Sequence, residues 1–146
     1  MNSAFPKLAR LLTIAAIAIV AGCGPTLSQG VVVKGKLVKA GQPLPVPRSD
    51  VGLGWVQLDL VPAGGLGTES SRTKDDGSFE FRGAGQGIAP GKYRLAVSYY
   101  DKGPPNDSLK GAFSAAKTPL SIDVPQDKVG GTFDAGTIDL TDHGAK

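Results

Sequence analysis

A chain with one thiol, one imidazole and one indole has few ways to do covalent chemistry. The thiol belongs to Cys23, in Ile-Val-Ala-Gly-Cys-Gly-Pro-Thr (residues 19–26), where an apolar run stops and a Gly/Pro segment begins. A lone cysteine can be a free thiol, half of an intermolecular disulfide, a metal ligand or a point of covalent modification. With no second cysteine, no intrachain disulfide exists, so stability must come from packing. The imidazole belongs to His143, in the terminal Thr-Asp-His-Gly-Ala-Lys. A single histidine supplies no multi-histidine metal site. A Ser-His-Asp triad would have to recruit it from the tail, where a solvated residue is expected. The indole, Trp55, could offer a flat face to a pyranose ring together with Tyr100, which makes these two the candidate ligand contacts; they could equally cover a sheet edge.

Other stretches suggest chemistry but read better as structure. Asp75-Asp76-Gly77 invites a calcium loop, yet the glycine comes too early and Glu80 follows too soon for the EF-hand spacing. A hairpin turn with Asp76-Gly77 at positive φ is the expectation. Gly83–Gly87 lacks the Lys-Ser/Thr and the helix of a phosphate loop, so a flexible connection is expected. Pro90-Gly91 should make a turn that starts a strand at Tyr93, whose hydroxyl should bond backbone. Lys34 and Lys36 could enter an isopeptide bond, but Asn106, the only asparagine after the leader, falls in a loop; solvated lysines are expected. No cofactor, metal or catalytic residue is called for.

The N-terminus gives Cys23 its context. Lys7 and Arg10 provide a positive start, Leu11–Val20 is nearly all apolar, and Ala21 and Gly22 are small. That is the layout of a secretory signal peptide, with an apolar run shorter than the roughly 20 residues of a bilayer span. Val20-Ala21-Gly22-Cys23 resembles the lipobox of bacterial lipoproteins. The resemblance implies that Cys23 receives a diacylglycerol, that cleavage occurs before it and that its new amino group is acylated. Two or three chains, at about 0.8 kcal/mol per buried CH₂, would hold the protein on a membrane. Gly24, rather than Asp, follows the cysteine; by the same resemblance this favours the outer over the inner membrane.

Composition sets the remaining bounds. Glycine (21) and proline (11) are abundant and aromatics are sparse, which favours short strands and tight turns over a helical bundle. Without Lys7 and Arg10 the balance is 14 basic against 13 acidic residues, with no basic cluster, so nucleic acid is not an expected partner.

These residues need elements to position them. From Val31 the apolar period is two, punctuated by turn residues. Strands are predicted over Val31–Val38, Trp55–Val61, Glu69–Lys74 (polar, at an edge), Ser78–Arg82, Lys92–Tyr100, Pro119–Val124 and Gly136–Leu140. Inward sets are Val31, Val33, Gly35 and Leu37; Val56, Leu58 and Leu60; Phe79 and Phe81; and Tyr93, Leu95, Val97 and Tyr99. No 3.6-residue apolar period follows residue 23, and Asp107–Lys117 has room for one helical turn at most. Seven short strands predict an all-β sandwich. Two long connections, Lys39–Gly54 and Asp101–Ala116, are where a specific surface is expected.

Val-Lys-Gly-Lys-Leu-Val (residues 33–38), Gly-Gln-Pro-Leu (41–44), Thr-Lys-Asp-Asp-Gly-Ser-Phe-Glu-Phe (73–81) and Pro-Gly-Lys-Tyr-Arg-Leu-Ala-Val (90–97) follow in order. Their run resembles the carboxypeptidase-regulatory-like domain. That implies a seven-stranded transthyretin-like, Ig-like Greek-key β-sandwich. The insertion at Asp101–Lys117 has no counterpart in the pattern. Transthyretin-like hydroxyisourate hydrolases and intradiol dioxygenases need several histidines, which this chain lacks. The expected organisation is a lipoprotein signal peptide (1–22), a lipidated tether (23–30), the sandwich (31–140) and a tail (141–146). The expected role is a non-catalytic, lipid-anchored envelope protein, secreted, with the membrane and an envelope protein as partners. The alternative is a carbohydrate-binding module with a glycan partner; a hydrolase ranks below both.

Overall fold

The computed structural model describes residues 29–46, 54–65 and 67–144. The signal-like segment, Cys23, most of the tether and positions 47–53 of the first long connection lie outside the described residues. Seven strands form: β1 (Val32–Val38), β2 (Trp55–Pro62), β3 (Glu69–Arg72), β4 (Ser78–Phe81), β5 (Gly91–Tyr100), β6 (Ser121–Val124) and β7 (Thr132–Asp139). They make two sheets, ordered β4-β1-β7 and β3-β2-β5-β6, so the chain is an all-β, two-sheet sandwich. Among the described residues the helices are short 3₁₀ turns, at Gly83–Gly85, Gln126–Lys128 and Leu140–His143.

Alternation builds the core. Val33 and Leu37 of β1, Phe79 and Phe81 of β4, Val56, Leu58 and Leu60 of β2, and Leu95 and Val97 of β5 are all buried between the sheets. The two phenyl rings meet edge-on, 5.7 Å between centroids. Gly35 shares their side of β1, and a Cβ there would come within 2.6 Å of Phe79 Cζ; the glycine is the seat of that ring.

One strand begins well before its sequence expectation. β7 starts at Thr132, four residues before the predicted Gly136. It pairs in parallel with β1, Val32 opposite Thr132 and Val38 opposite Asp139. A register shift between Lys34 and Lys36 marks a bulge at Gly136, whose φ is +74°. Asp134 and Gly136 look like turn residues, but they are bulge residues of a strand whose partner lies about a hundred positions away. Asp107–Lys117 forms a succession of turns and no helix.

The ends of the sandwich differ. Gln29–Gly30 enters at one end beside Gly87, Gln126 and Val129, and this end is called the tether pole. Gly30 donates to Gln86, Gly130 donates to Gly30, and Val31 and Ile88 exchange both backbone bonds. At the opposite, distal pole stand the Lys39–Gln42 turn, the Asp75–Gly77 hairpin and the start of the Asp101–Lys117 connection. β5 runs from the tether pole at Gly91 to the distal pole at Tyr100, ten residues or about 30 Å.

Candidate functional site

The candidate ligand residues come together at the distal pole. Trp55 opens β2 and Tyr100 ends β5, and the antiparallel register sets them directly opposite one another. Both point to the outer face of the four-stranded sheet, half-buried, with centroids 5.4 Å apart and planes inclined by 56°. β3 adds a residue that pattern reading passed over. Arg72, opposite Gln57, lays its guanidinium 4.2 Å from the centre of the indole. A cation on a tryptophan face is held by the ring quadrupole. One indole face is therefore occupied, and the two rings form an angled cleft rather than a coplanar platform. One row along, Gln57 and Ser70 donate to Asp59 Oδ1 at 3.0 and 2.6 Å. Aromatic edge, cation, carboxylate and amide thus lie on one strip of sheet, a composition able to hold a polar ligand that has an apolar face.

The second long connection begins at Tyr100 beside this strip, the first begins at the same pole after β1, and carboxylates organise both. Asp107 accepts from the amides of Tyr99, Leu109 and Gly111, each at 2.9 Å. Past the end of β6, the free edge of β5 is closed by this segment: Val97 donates to the Phe113 carbonyl and Leu95 to that of Leu120. Phe113 is 1% exposed and belongs to the core. The connection is thus an ordered cover for an edge that β6 is too short to protect. In the first connection, Leu44 is buried and the Tyr99 hydroxyl donates to the Pro45 carbonyl. Asp139 ties that connection to the end of β7: it accepts from the amides of Ala40, Gly41 and Thr141 at 2.7–3.0 Å. The Thr141 amide, then that of Gly41, lowers the Asp139 pKa below its ordinary value, because each stabilises the charged form. Asp76 is lowered likewise, first by the Ser78 hydroxyl and then by its amide.

The remaining candidates sit apart from the strip. His143 is exposed in the terminal 3₁₀ turn. Lys34 and Lys36 are exposed on the outer face of the other sheet, and Asn106 is exposed in its connection. Gly77 (φ +81°) makes the expected hairpin turn, though Asp76, expected at positive φ as well, is not, and the Tyr93 hydroxyl bonds backbone as expected, donating to the Ala89 carbonyl at 2.7 Å. Burial, and the negative charge of Glu69, raise the Tyr93 pKa. Gly83–Gly85 forms a 3₁₀ turn, and Gly87 after it is locked to the chain entry: a Cβ there would lie 2.4 Å from the Gly30 carbonyl carbon. Among the described residues no three His, Cys, Asp or Glu side chains gather as metal ligands, and no helix is long and apolar enough to cross a membrane. Sequence reasoning missed Arg72, Asp107 and Asp139. Asp107 carried a readable signal, since an Asp two and four residues before Leu109 and Gly111 is placed to accept from their amides. Arg72 and Asp139 did not, because their partners are set by strand register.

No protein-family model, no curated protein and no solved structure matches this chain.

Proposed function

We propose that this protein is a secreted, non-catalytic cell-envelope protein, anchored by lipid on Cys23, whose sandwich presents its distal pole to another envelope protein. One observation carries the reading. The chain enters the domain at the tether pole, while the beginnings of both long connections, Trp55 and Tyr100 lie at the other end. A lipid at Cys23 would hold the first pole toward the membrane and leave the second facing outward. The signal layout and the Val20–Cys23 lipobox support the anchor, and Gly24 favours the outer membrane. The ordered motif run from Val33 to Val97 supports a transthyretin-like, Greek-key form of the sandwich.

Photo-crosslinking in intact cells tests the role. A crosslinker at Lys102 or Lys110, both exposed in the distal connection, should trap one discrete partner, and one at Lys34 on a sheet face should not. Equal, diffuse adducts from all three sites would refute the distal interface. Mass spectrometry of the mature N-terminus tests the anchor, as does a Cys23→Ser protein, which should leave the membrane fraction.

The Trp55–Tyr100–Arg72 strip favours a second reading, a carbohydrate-binding module. Glycan binding that survives the double substitution Trp55→Ala and Tyr100→Ala would rule this strip out as the site.

A further inference from the structure

We infer that the tether pole is a lipid-facing surface: the glycine-rich end of the sandwich rests on the bilayer with Val129 at headgroup level. The inference rests on the reading of Cys23 as lipidated, and it adds that the anchored domain lies against the membrane instead of swinging from it.

Charge is sparse at the tether pole. Three connections meet at this pole. Gly83–Gly91 has no charged residue, nor does Pro62–Gly65 with Gly67–Thr68, and Pro125–Gly131 has one of each sign, Asp127 and Lys128. At the border, Arg82 pairs with Glu80, and Lys92 and Glu69 oppose one another in sign. The distal connections contain Lys74, Asp76, Lys102, Lys110, Lys117 and Asp142 among their charged residues. Moving a charge from water to the headgroup boundary carries a desolvation cost, which the tether pole largely avoids.

Shape and apolarity agree. Val129, 41% exposed, is the one exposed large hydrophobic side chain among the described residues, and it stands beside the chain entry. The same pole exposes the small side chains Ala63, Ala84 and Ala89, with the uncharged amides Gln29, Gln86 and Gln126 among them. Nearly all the polar groups that close this pole are backbone groups bonded to one another, such as Gly30 to Gln86, Gly130 to Gly30, Val32 to Gly131 and Gly87 to Arg82. Those bonds stay intact when the surface meets lipid.

Tether length completes the case. Seven residues, Gly24–Gly30, separate the acylated position from Val31. A chain of that length spans at most about 25 Å. The neutral pole is thereby held within about 25 Å of the acylated residue, and the bilayer is the surface nearest to it, which commits the occupant to lipid.

The test uses the full lipidated protein in phosphatidylethanolamine–phosphatidylglycerol vesicles. Ala63→Cys and Lys102→Cys are each labelled with an environment-sensitive fluorophore; the Cys23 thiol, taken up in a thioether, does not react. Headgroup spin-labelled lipid should quench the Ala63 probe about threefold more than the Lys102 probe, and adding Val129→Asp should bring that ratio toward one. Equal quenching of the two probes on protein that floats with the vesicles overturns the inference and leaves the anchor standing. Shielding of the Ala63 probe from aqueous iodide without lipid quenching also overturns it, and shows a second copy or another protein on this pole. Protein that neither floats nor carries lipid on Cys23 refutes the anchor reading, and the lipid-facing pole falls with it.

Discussion

The two ends of this sandwich solve one problem with different chemistry. Every strand end leaves backbone groups that must find partners. At the tether pole the partners are other backbone groups, brought close because glycines stand at Gly30, Gly87 and Gly130. At the distal pole three carboxylates do much of that work: Asp107, Asp139 and Asp76. Apolar plugs, Phe113, Leu44 and Leu140, fill the space beneath. Backbone closure leaves an almost uncharged surface that is independent of pH but intolerant of a Cβ at Gly30 or Gly87. Carboxylate closure tolerates varied sequence, leaves charge at the surface and makes stability depend on ionisation.

The contrast can be broken from either end. Phe113→Ala should have the largest effect, a loss of about 3–5 kcal/mol in urea unfolding, because it opens a cavity and frees the edge of β5. Gly87→Ala should follow at about 2–4 kcal/mol, since a side chain there meets Gly30 backbone and sits at φ +89°. Wild-type stability in that variant would show that the tether pole is not locked by close backbone approach. Asp107→Ala should cost about 1–2 kcal/mol and speed amide exchange at Tyr99, Leu109 and Gly111 while leaving Gly30 and Ile88 protected. The smallest effect belongs to Asp139→Asn and is read in acid. The pKa of Asp139 is lowered on folding, so its stabilisation is complete above the ordinary value of 3.8 and fades as the pH falls through the lowered value. The variant should therefore have a lower melting temperature at neutral pH and a shallower decline below that value. An unchanged acid profile would remove Asp139 from the account of distal-pole ionisation.

Much of this was legible in the chain. The period-two alternation of Tyr93, Leu95 and Val97 marked β5, and Phe79 with Phe81 marked β4, because a half-buried strand needs that spacing wherever its partners lie. Asp76-Gly77 announced a turn by local stereochemistry. A bond from the Tyr93 hydroxyl to backbone was also foreseen, and its acceptor, Ala89, lies four residues away. What escaped was long-range. The first half of β7 reads as turn until β1 is laid beside it. Asp139 reaches Ala40 and Gly41 across some hundred positions. Trp55 and Tyr100 were legible as exposed aromatics, but the cation on the indole was not, since it depends on β3 pairing with β2.

By itself, the sequence determined an all-β chain of seven strands, the inward residues of most of them, and one cysteine set in a lipobox-like motif after an apolar run. These are local properties, written in periodicity, turn residues and a short motif. Only the tertiary structure decided which connections share an end, that the chain enters at the end with little charge, and that Trp55, Tyr100 and Arg72 meet at the other. Those facts follow from strand order and register, which the packing of two sheets fixes and no single stretch of chain contains.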